Sequence, residues 1–178
     1  LVATTSLNRP GASDYSDNFV KRKHGQERID LLDDSIADIL RPTYGIMLYQ
    51  EQVMQIAQRY AGFTLGKADL LRRAMSKKDV QQMQEMEAEF LQGARKLGHK
   101  SDKAKDIFGM MAKFAGYGFN RSHAYAYSAL AFQLAYFKTH YPDVFFDIML
   151  NYSSSDYITD ALQFDFKAAK LSINNIPY

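Results

Sequence analysis

Arg72, Arg73, Lys77 and Lys78 place four cations within seven residues, between Asp69 and Asp79. An arginine fork can hydrogen-bond two phosphate oxygens at once, and a lysine adds a point charge. The segment therefore has the chemistry of an anion clamp, suited to a triphosphate, its leaving pyrophosphate or a nucleic-acid backbone. The same residues also read as a solvated helix end whose cations complement the helix dipole. A second stretch, Lys113 to Tyr127 (KFAGYGFNRSHAYAY), joins glycines and aromatics to a polar cluster. Gly116 and Gly118 flank Tyr117, which permits positive φ or a close approach to a neighbour. Asn120, Arg121, Ser122 and His123 follow, with Ser122 placed to cap a helix through Ala124, Tyr127, Leu130, Ala131 and Leu134. Unpaired N–H groups at such a terminus suit an anion. Its plainer reading is a glycine-ended helix, a tight turn and a capped helix.

A third basic run, Lys21, Arg22 and Lys23 beside His24, could touch DNA phosphates or simply complement the end of a short helix. Other chemistries lack their residues. Ser122 and His123 are neighbours whose side chains diverge on a helix, so they make no nucleophile and base pair. His24, His99, His123 and His140 are scattered, and Glu85, Glu87 and Glu89 read as a solvated helix face, so no metal site is expected. No P-loop, GxGxxG or D-x-D pattern occurs. The absence of cysteine excludes disulfides and thiolate zinc sites, and a net charge of +2 favours no partner by itself.

These residues need helices to position them. Asp14 or Ser16 is expected to cap a helix holding Phe19 and Val20 and ending at Gly25. A short helix after Asp33 and Asp34 stops at Pro42, and TYGIMLYQEQ reads as a brief strand or a helix start. Val53, Ile56, Ala57 and Tyr60 then repeat at helical spacing up to Gly62. Leu65 to Met75, broken at Ser76, is the helix that carries the arginine pair. Met83, Met86, Phe90, Ala94 and Leu97 line a helix from about Asp79 to Leu97, closed by Gly98, and Ile107, Phe108, Met111 and Phe114 line the next. Ala124 to Phe137 is about 14 residues long, short of the roughly 20 that a membrane span needs, and is expected to be a buried core helix. Pro142 opens a further helix, Ser153 to Ser155 mark a loop, and Asp156 caps a last one. LSINNIPY closes the sequence as strand-like residues.

The expected fold is all-α, an irregular bundle of about seven or eight helices with little strand except at the C-terminal end. Residues 1–13 are read as a lead-in, 14–152 as one helical domain, and 153–178 as a linker, a final helix and the start of a following region. No signal peptide opens the sequence, and a cytoplasmic setting without membrane contact is the expectation.

Three segments together go further: LNRPGASDYSDNFVKRKHG, YGIMLYQEQVMQIAQRYAGFTLGKADLLRRAMSKK and FAGYGFNRSHAYAYSALAFQLAYFKTHYP. In order and spacing they closely resemble the α subunit of bacterial DNA polymerase III, the family C replicative polymerases. Ala12, Ser76 and Arg121 stand where many relatives have proline, glycine and lysine. The resemblance implies a fragment of the polymerase fingers, whose partners are primer–template DNA, a deoxynucleoside triphosphate, the rest of the subunit and the replisome. It implies that the catalytic aspartates and their Mg2+ lie in a palm outside this sequence, so that no catalytic residue, metal or cofactor is held here. By the same resemblance Arg72 and Arg73, then Lys77 and Lys78, are candidates for triphosphate contact. Asn120, Ser122, His123 and Tyr127 fall near the nucleotide or nascent pair, and Lys21, Arg22, Lys23 and Arg121 are candidates for DNA contact. Two other readings stay open, a helical DNA-binding module without a nucleotide role and a helical protein-interaction domain.

Overall fold

Helix α4 (Gln50–Ala61) is the element around which the others are arranged, and its sequence explains why it forms. Tyr49 is extended at the N-cap, and Gln52 at the third helical position reaches back to accept the Tyr49 N–H at 3.0 Å. Gly62 ends the helix in the left-handed region, where a residue with a β-carbon is disfavoured. Val53, Ile56, Ala57 and Tyr60 fall on one side at spacings of three and four, and all are at most 1% exposed.

The computed structural model describes residues 1–9, 11–77, 79–115, 117–153 and 156–168. Before α4 come α1 (Val2–Leu7), α2 (Ser16–Lys23) and α3 (Ala37–Leu40), with three short 3-10 turns at Ser13–Tyr15, Asp34–Ile36 and Arg41–Thr43. After it come α5 (Leu65–Lys77), α6 (Val80–Lys96), α7 (Ser101–Ala115), α8 (Arg121–His140), α9 (Pro142–Tyr152) and α10 (Asp156–Ala168). The ten α-helices among the described residues exceed the seven or eight expected, because short helices such as α1 and α3 carry too few residues to show a period. The all-α class holds, and among the described residues the one ladder contact is an isolated parallel bridge between Tyr49 and Phe119. The C-terminal strand expected at LSINNIPY and the loop residues Ser154 and Ser155 lie outside the described residues.

The chain divides into two compact units, residues 1–126 and 127–178. In the first, α4 packs against α5, α6 and α7, and α6 against α7, around Leu71, Phe90, Ile107 and Met111. Full burial of such a side chain contributes about 1.5–3 kcal/mol. Gly93 of α6 lets that helix approach the Ala61 carbonyl at the end of α4. Asp79 caps α6, accepting from the Gln82 N–H at 3.0 Å. Gln52 is 4% exposed with all its polar atoms satisfied. Its Oε1 accepts from the Leu48 and Tyr49 N–H groups, and its Nε2 donates to Ile39 O at 2.9 Å and Thr43 Oγ1 at 2.8 Å. This one side chain fixes the 39–49 segment to α4. In the second unit α9 packs on α10 around Phe145, Phe146, Leu162 and Phe166.

Three local expectations are corrected. The apolar helix is not a buried core helix, since on α8 Tyr125, Leu130, Phe132, Tyr136 and Phe137 are 48–69% exposed and only Ala124 and Ser128 are buried. Its apolar residues run all round the helix, and such a helix needs cover on every side. Helix α2 starts at Ser16 behind Tyr15, and neither Asp14 nor Ser16 makes a capping hydrogen bond. Ser76 does not break α5, which continues to Lys77 while the Ser76 hydroxyl donates to the Arg72 carbonyl at 2.9 Å.

Candidate functional site

The two stretches with anion chemistry meet at the start of α4. Phe119 and Leu48 share a backbone hydrogen bond of 3.0 Å, and the Gln50 N–H donates to the Phe119 carbonyl at 3.1 Å. The Gln50 side-chain oxygen accepts in turn from Arg72 at 3.3 Å, so one glutamine touches both the 113–123 stretch and the arginine pair of α5. Gly118 permits this approach, because a β-carbon there would lie 3.2 Å from Gln50 Cγ and 3.4 Å from its nitrogen. Gly116, its companion in the sequence reading, lies outside the described residues, as does Lys78.

Asp69 organises the cationic side. Its Oδ1 accepts from Arg72 at 2.8–2.9 Å and its Oδ2 from Arg73 at 2.7 Å. The Arg72 hydrogen bond first, and Arg73 after it, hold the Asp69 carboxyl below the usual carboxylate range. Two guanidinium groups share one carboxylate, so the cluster keeps a positive excess. The two arginines differ in freedom. The Arg72 side chain is 25% exposed and tied at both ends, whereas that of Arg73 is 62% exposed and carries a single ion pair. Lys77 is exposed in the last turn of α5.

At the start of α8 the structure overturns the expected cap. Helix α8 begins at Arg121, so Asn120 and not Ser122 is the capping residue, its side-chain oxygen accepting from the His123 N–H at 2.8 Å. Asn120 gives a better fit than serine would by sequence alone, since the ordinary cap bond runs to the third helical residue. The anion expected at this terminus is also present, as a residue of the protein. Glu51 accepts from Asn120 Nδ2 at 3.0 Å and, with both oxygens, from the Arg121 N–H at 3.1 Å. A carboxylate at a helix start is favoured by the local partial charge, and Glu51 stands in the first turn of α4 as well.

Aromatic rings and further cations surround this junction. The Arg9 guanidinium lies 4.8 Å from the centre of the Phe119 ring, and Arg121 lies 5.7 Å from that of Tyr49. His123 meets Phe119 edge-on at 5.4 Å. Tyr117 is 44% exposed and lines a groove of about 510 Å³ with Gly11, Asp14, Tyr15, Met75, Ala112 and Lys113. The Tyr15 side chain raises the Lys113 ammonium above its ordinary value. On another side Arg121 lines a groove of about 500 Å³ with Asp38, Gln55, Gln58 and Arg59.

The remaining sequence candidates are placed as follows. Arg22 is drawn inward, donating to Glu27 at 2.7 Å and to the Tyr44 carbonyl at 3.1 Å, while Lys21 and Lys23 are exposed. Ser122 and His123 are exposed on the first turn of α8. Tyr127 lies one turn further along, 59% exposed, and opens the second unit. Gln50 and Glu51 escaped the sequence reading because their partners lie 22 and 70 residues away, whereas Asp69 holds arginines only three and four residues on and was legible as a helical ion-pair spacing. Among the described residues no cluster of three or more histidines and carboxylates could hold a metal, and no helix is long and apolar enough to cross a membrane.

An arginine of α5 tied through Gln50 to an F-N-R-S-H turn can be set against known sequences. The family described as the bacterial DNA polymerase III alpha subunit finger domain matches residues 1–98. The chain belongs to this family. Its full length is 73% identical to the DNA polymerase III subunit alpha of Streptococcus pyogenes, and 99% of it aligns at 46% identity with the protein of that name from Helicobacter pylori. The chain spans 17% and 15% of the lengths of these relatives. The finger-domain match takes in α1 to α6, and with them Lys21 to Lys23, Arg72, Arg73 and Lys77.

Proposed function

We propose that the chain is the fingers portion of a replicative DNA-directed DNA polymerase, holding the incoming deoxynucleoside triphosphate against the nascent base pair and template. The observation that carries this reading is Gln50, which joins the arginine pair of α5 to the Phe119–Asn120 turn. Arg72, fixed by Asp69 and Gln50, positions the cluster. Arg73, more exposed and singly paired, is the group free to exchange a carboxylate oxygen for a phosphate oxygen, with Lys77 adding charge beside it. Asn120, Ser122 and His123 present polar groups on the turn that Gln50 ties to Arg72, and the exposed ring of Tyr117 offers a face on which a base can stack. Lys21, Lys23 and Arg121 supply contacts to the DNA backbone.

Bond making is left to carboxylates and Mg2+ in a palm outside this chain, so the chain is inactive alone. What the fingers supply is position and charge, which are the main protein contributions to phosphoryl transfer. The test is single-nucleotide primer extension by the intact subunit carrying Arg73→Ala, at matched salt and DNA. A charge-assisted hydrogen bond contributes about 1.5–3 kcal/mol, so kcat/KM for the nucleotide should fall ten- to a hundredfold or more with DNA affinity unchanged. Weakened DNA binding with an ordinary nucleotide dependence would instead assign the cluster to the nucleic-acid backbone.

A further inference from the structure

The turn between α6 and α7 is the most cationic segment that the candidate site does not use. Residues 95–106 hold Arg95, Lys96, Lys100, Lys103 and Lys105 against Asp102 and Asp106, an excess larger than the +2 of the whole chain. Arg95, Lys96, Lys100 and Lys105 are exposed, and Lys103 is half-buried with Asp33 in electrostatic reach. None of the five is in an ion pair among the described residues, whereas Arg22, Arg59, Lys67, Arg72, Arg73 and Lys138 are each held by a carboxylate. Helix electrostatics explain only part of the cluster. Arg95 and Lys96 complement the C-terminal end of α6, but Lys100, Lys103 and Lys105 gather at the start of α7, where cations are disfavoured. Their mutual repulsion and the wrong end of a dipole leave an uncompensated positive surface.

We infer that this turn is a second contact for a nucleic-acid backbone, separate from the candidate site and indifferent to base sequence. The inference rests on the reading of the chain as part of a polymerase that works on duplex DNA. Protein interfaces favour aromatics and disfavour lysine at their centres, and here the large exposed apolar residue is Leu97 alone amid lysines. Phosphates spaced along a duplex suit mobile, unpaired lysines instead. Along α7, Lys113 lies 13 residues beyond Lys100. At 1.5 Å per residue that is about 20 Å, or roughly six base pairs of duplex. One chain can therefore hold the end of a duplex and its backbone half a turn away.

The test is fluorescence anisotropy of a 20-base-pair duplex with the 178-residue chain, without nucleotide, at 50–200 mM salt. The variant is Lys96→Gln with Lys100→Gln and Lys105→Gln, and Lys103 is kept because its charge faces Asp33. Affinity should fall about tenfold or more, and the slope of log affinity against log salt should become shallower by about one per lysine. The matching lysine-to-arginine variant should restore both, which separates charge from fold. Unchanged affinity and slope overturn the inference, as does a wild-type chain that ignores duplex at 50 mM salt. A poly-glutamate peptide bound as tightly as duplex, and lost in the same variant, also overturns it in favour of an acidic protein partner. The reading of the nucleotide site is judged by the Arg73→Ala extension assay, in which the lysine variant should leave the nucleotide KM unaltered.

Discussion

Gly93 sits in the interior of α6, where alanine is ordinarily better by about 1 kcal/mol, yet Gly93→Ala should destabilise the protein. A β-carbon at this position would lie 3.0 Å from the Ala61 carbonyl carbon and 3.3 Å from its α-carbon, with the carbonyl oxygen nearer still. Carbon atoms in contact settle at about 3.5–4.0 Å, so at least half an ångström must open between α6 and the end of α4. Neither side can give locally. Ala61 is the last residue of α4, locked by the left-handed cap at Gly62, and Ala94, next to Gly93, is fully buried. Overpacking costs about 1–3 kcal/mol, and backbone on both sides puts this site at the upper end. After the gain in helix propensity the net loss is about 2 kcal/mol. For a chain of this size the melting temperature should fall by about 4–8 °C. Gly109→Ala in α7 is the internal control, because nothing lies within 4 Å of its β-carbon position. That variant should gain about 0.5–1 kcal/mol. Urea and thermal unfolding followed by circular dichroism would compare the pair. A Gly93→Ala protein as stable as Gly109→Ala, or more so, would refute the close helix contact.

Gln52→Leu preserves volume but strands the Leu48 and Tyr49 N–H groups and the Ile39 carbonyl, and should cost about 3 kcal/mol or more in urea unfolding. A loss below about 1 kcal/mol would show that the 39–49 segment holds without it. Tyr60, fully buried against Phe90 and stacked 3.8 Å from His99, has a hydroxyl without a hydrogen-bond partner among the described residues, and burial, aided by Asp33, pushes it up to about 12. Its unfolded-state value is about 10, so the proton is held more tightly in the folded state. The stability this confers is complete below pH 10 and is lost as pH rises through about 12. Tyr60→Phe should therefore be neutral or slightly stabilising at pH 7 and lose less stability than wild type between pH 10 and 12. Parallel alkaline profiles for the two proteins would count against a buried, proton-retaining hydroxyl.

The helices that bury a clean stripe were legible from spacing alone. Val53, Ile56 and Tyr60 declare α4, and Met86, Phe90 and Ala94 declare α6, because the period of three and four is the imprint of the core itself. Helix ends were legible where the signal is local, as with Asp79 and Gly62. Helix α8 was legible as a helix but not in its burial, since an apolar segment reports what its side chains prefer and not whether the rest of the chain covers them. The candidate site divides in the same way. Arg72 and Arg73 stand out as charges at helical spacing, and Asn120 to His123 as a polar turn. Gln50, Glu51 and Gln52 look like an ordinary polar helix start, yet each is defined by a different partner: Arg72, the start of α8, and the 39–49 segment. Gly93 was invisible for a related reason, because its purpose is the space it leaves for Ala61.

The attachment of the Phe119 turn to α4 also has a kinetic side. Most of the first unit is joined by helices that are neighbours along the chain, whereas the Glu51 bond to Arg121 spans 70 residues. Closing a loop of that length costs about 3.8 kcal/mol in the length-dependent part of its entropy. The return comes from two backbone hydrogen bonds and one carboxylate. This junction accordingly closes late in folding and opens early, ahead of the α4–α6 core, so that the amides of Gln50 and Phe119 exchange with solvent through a partial opening. A ligand bound at the candidate site should register first as slowed exchange at those two amides.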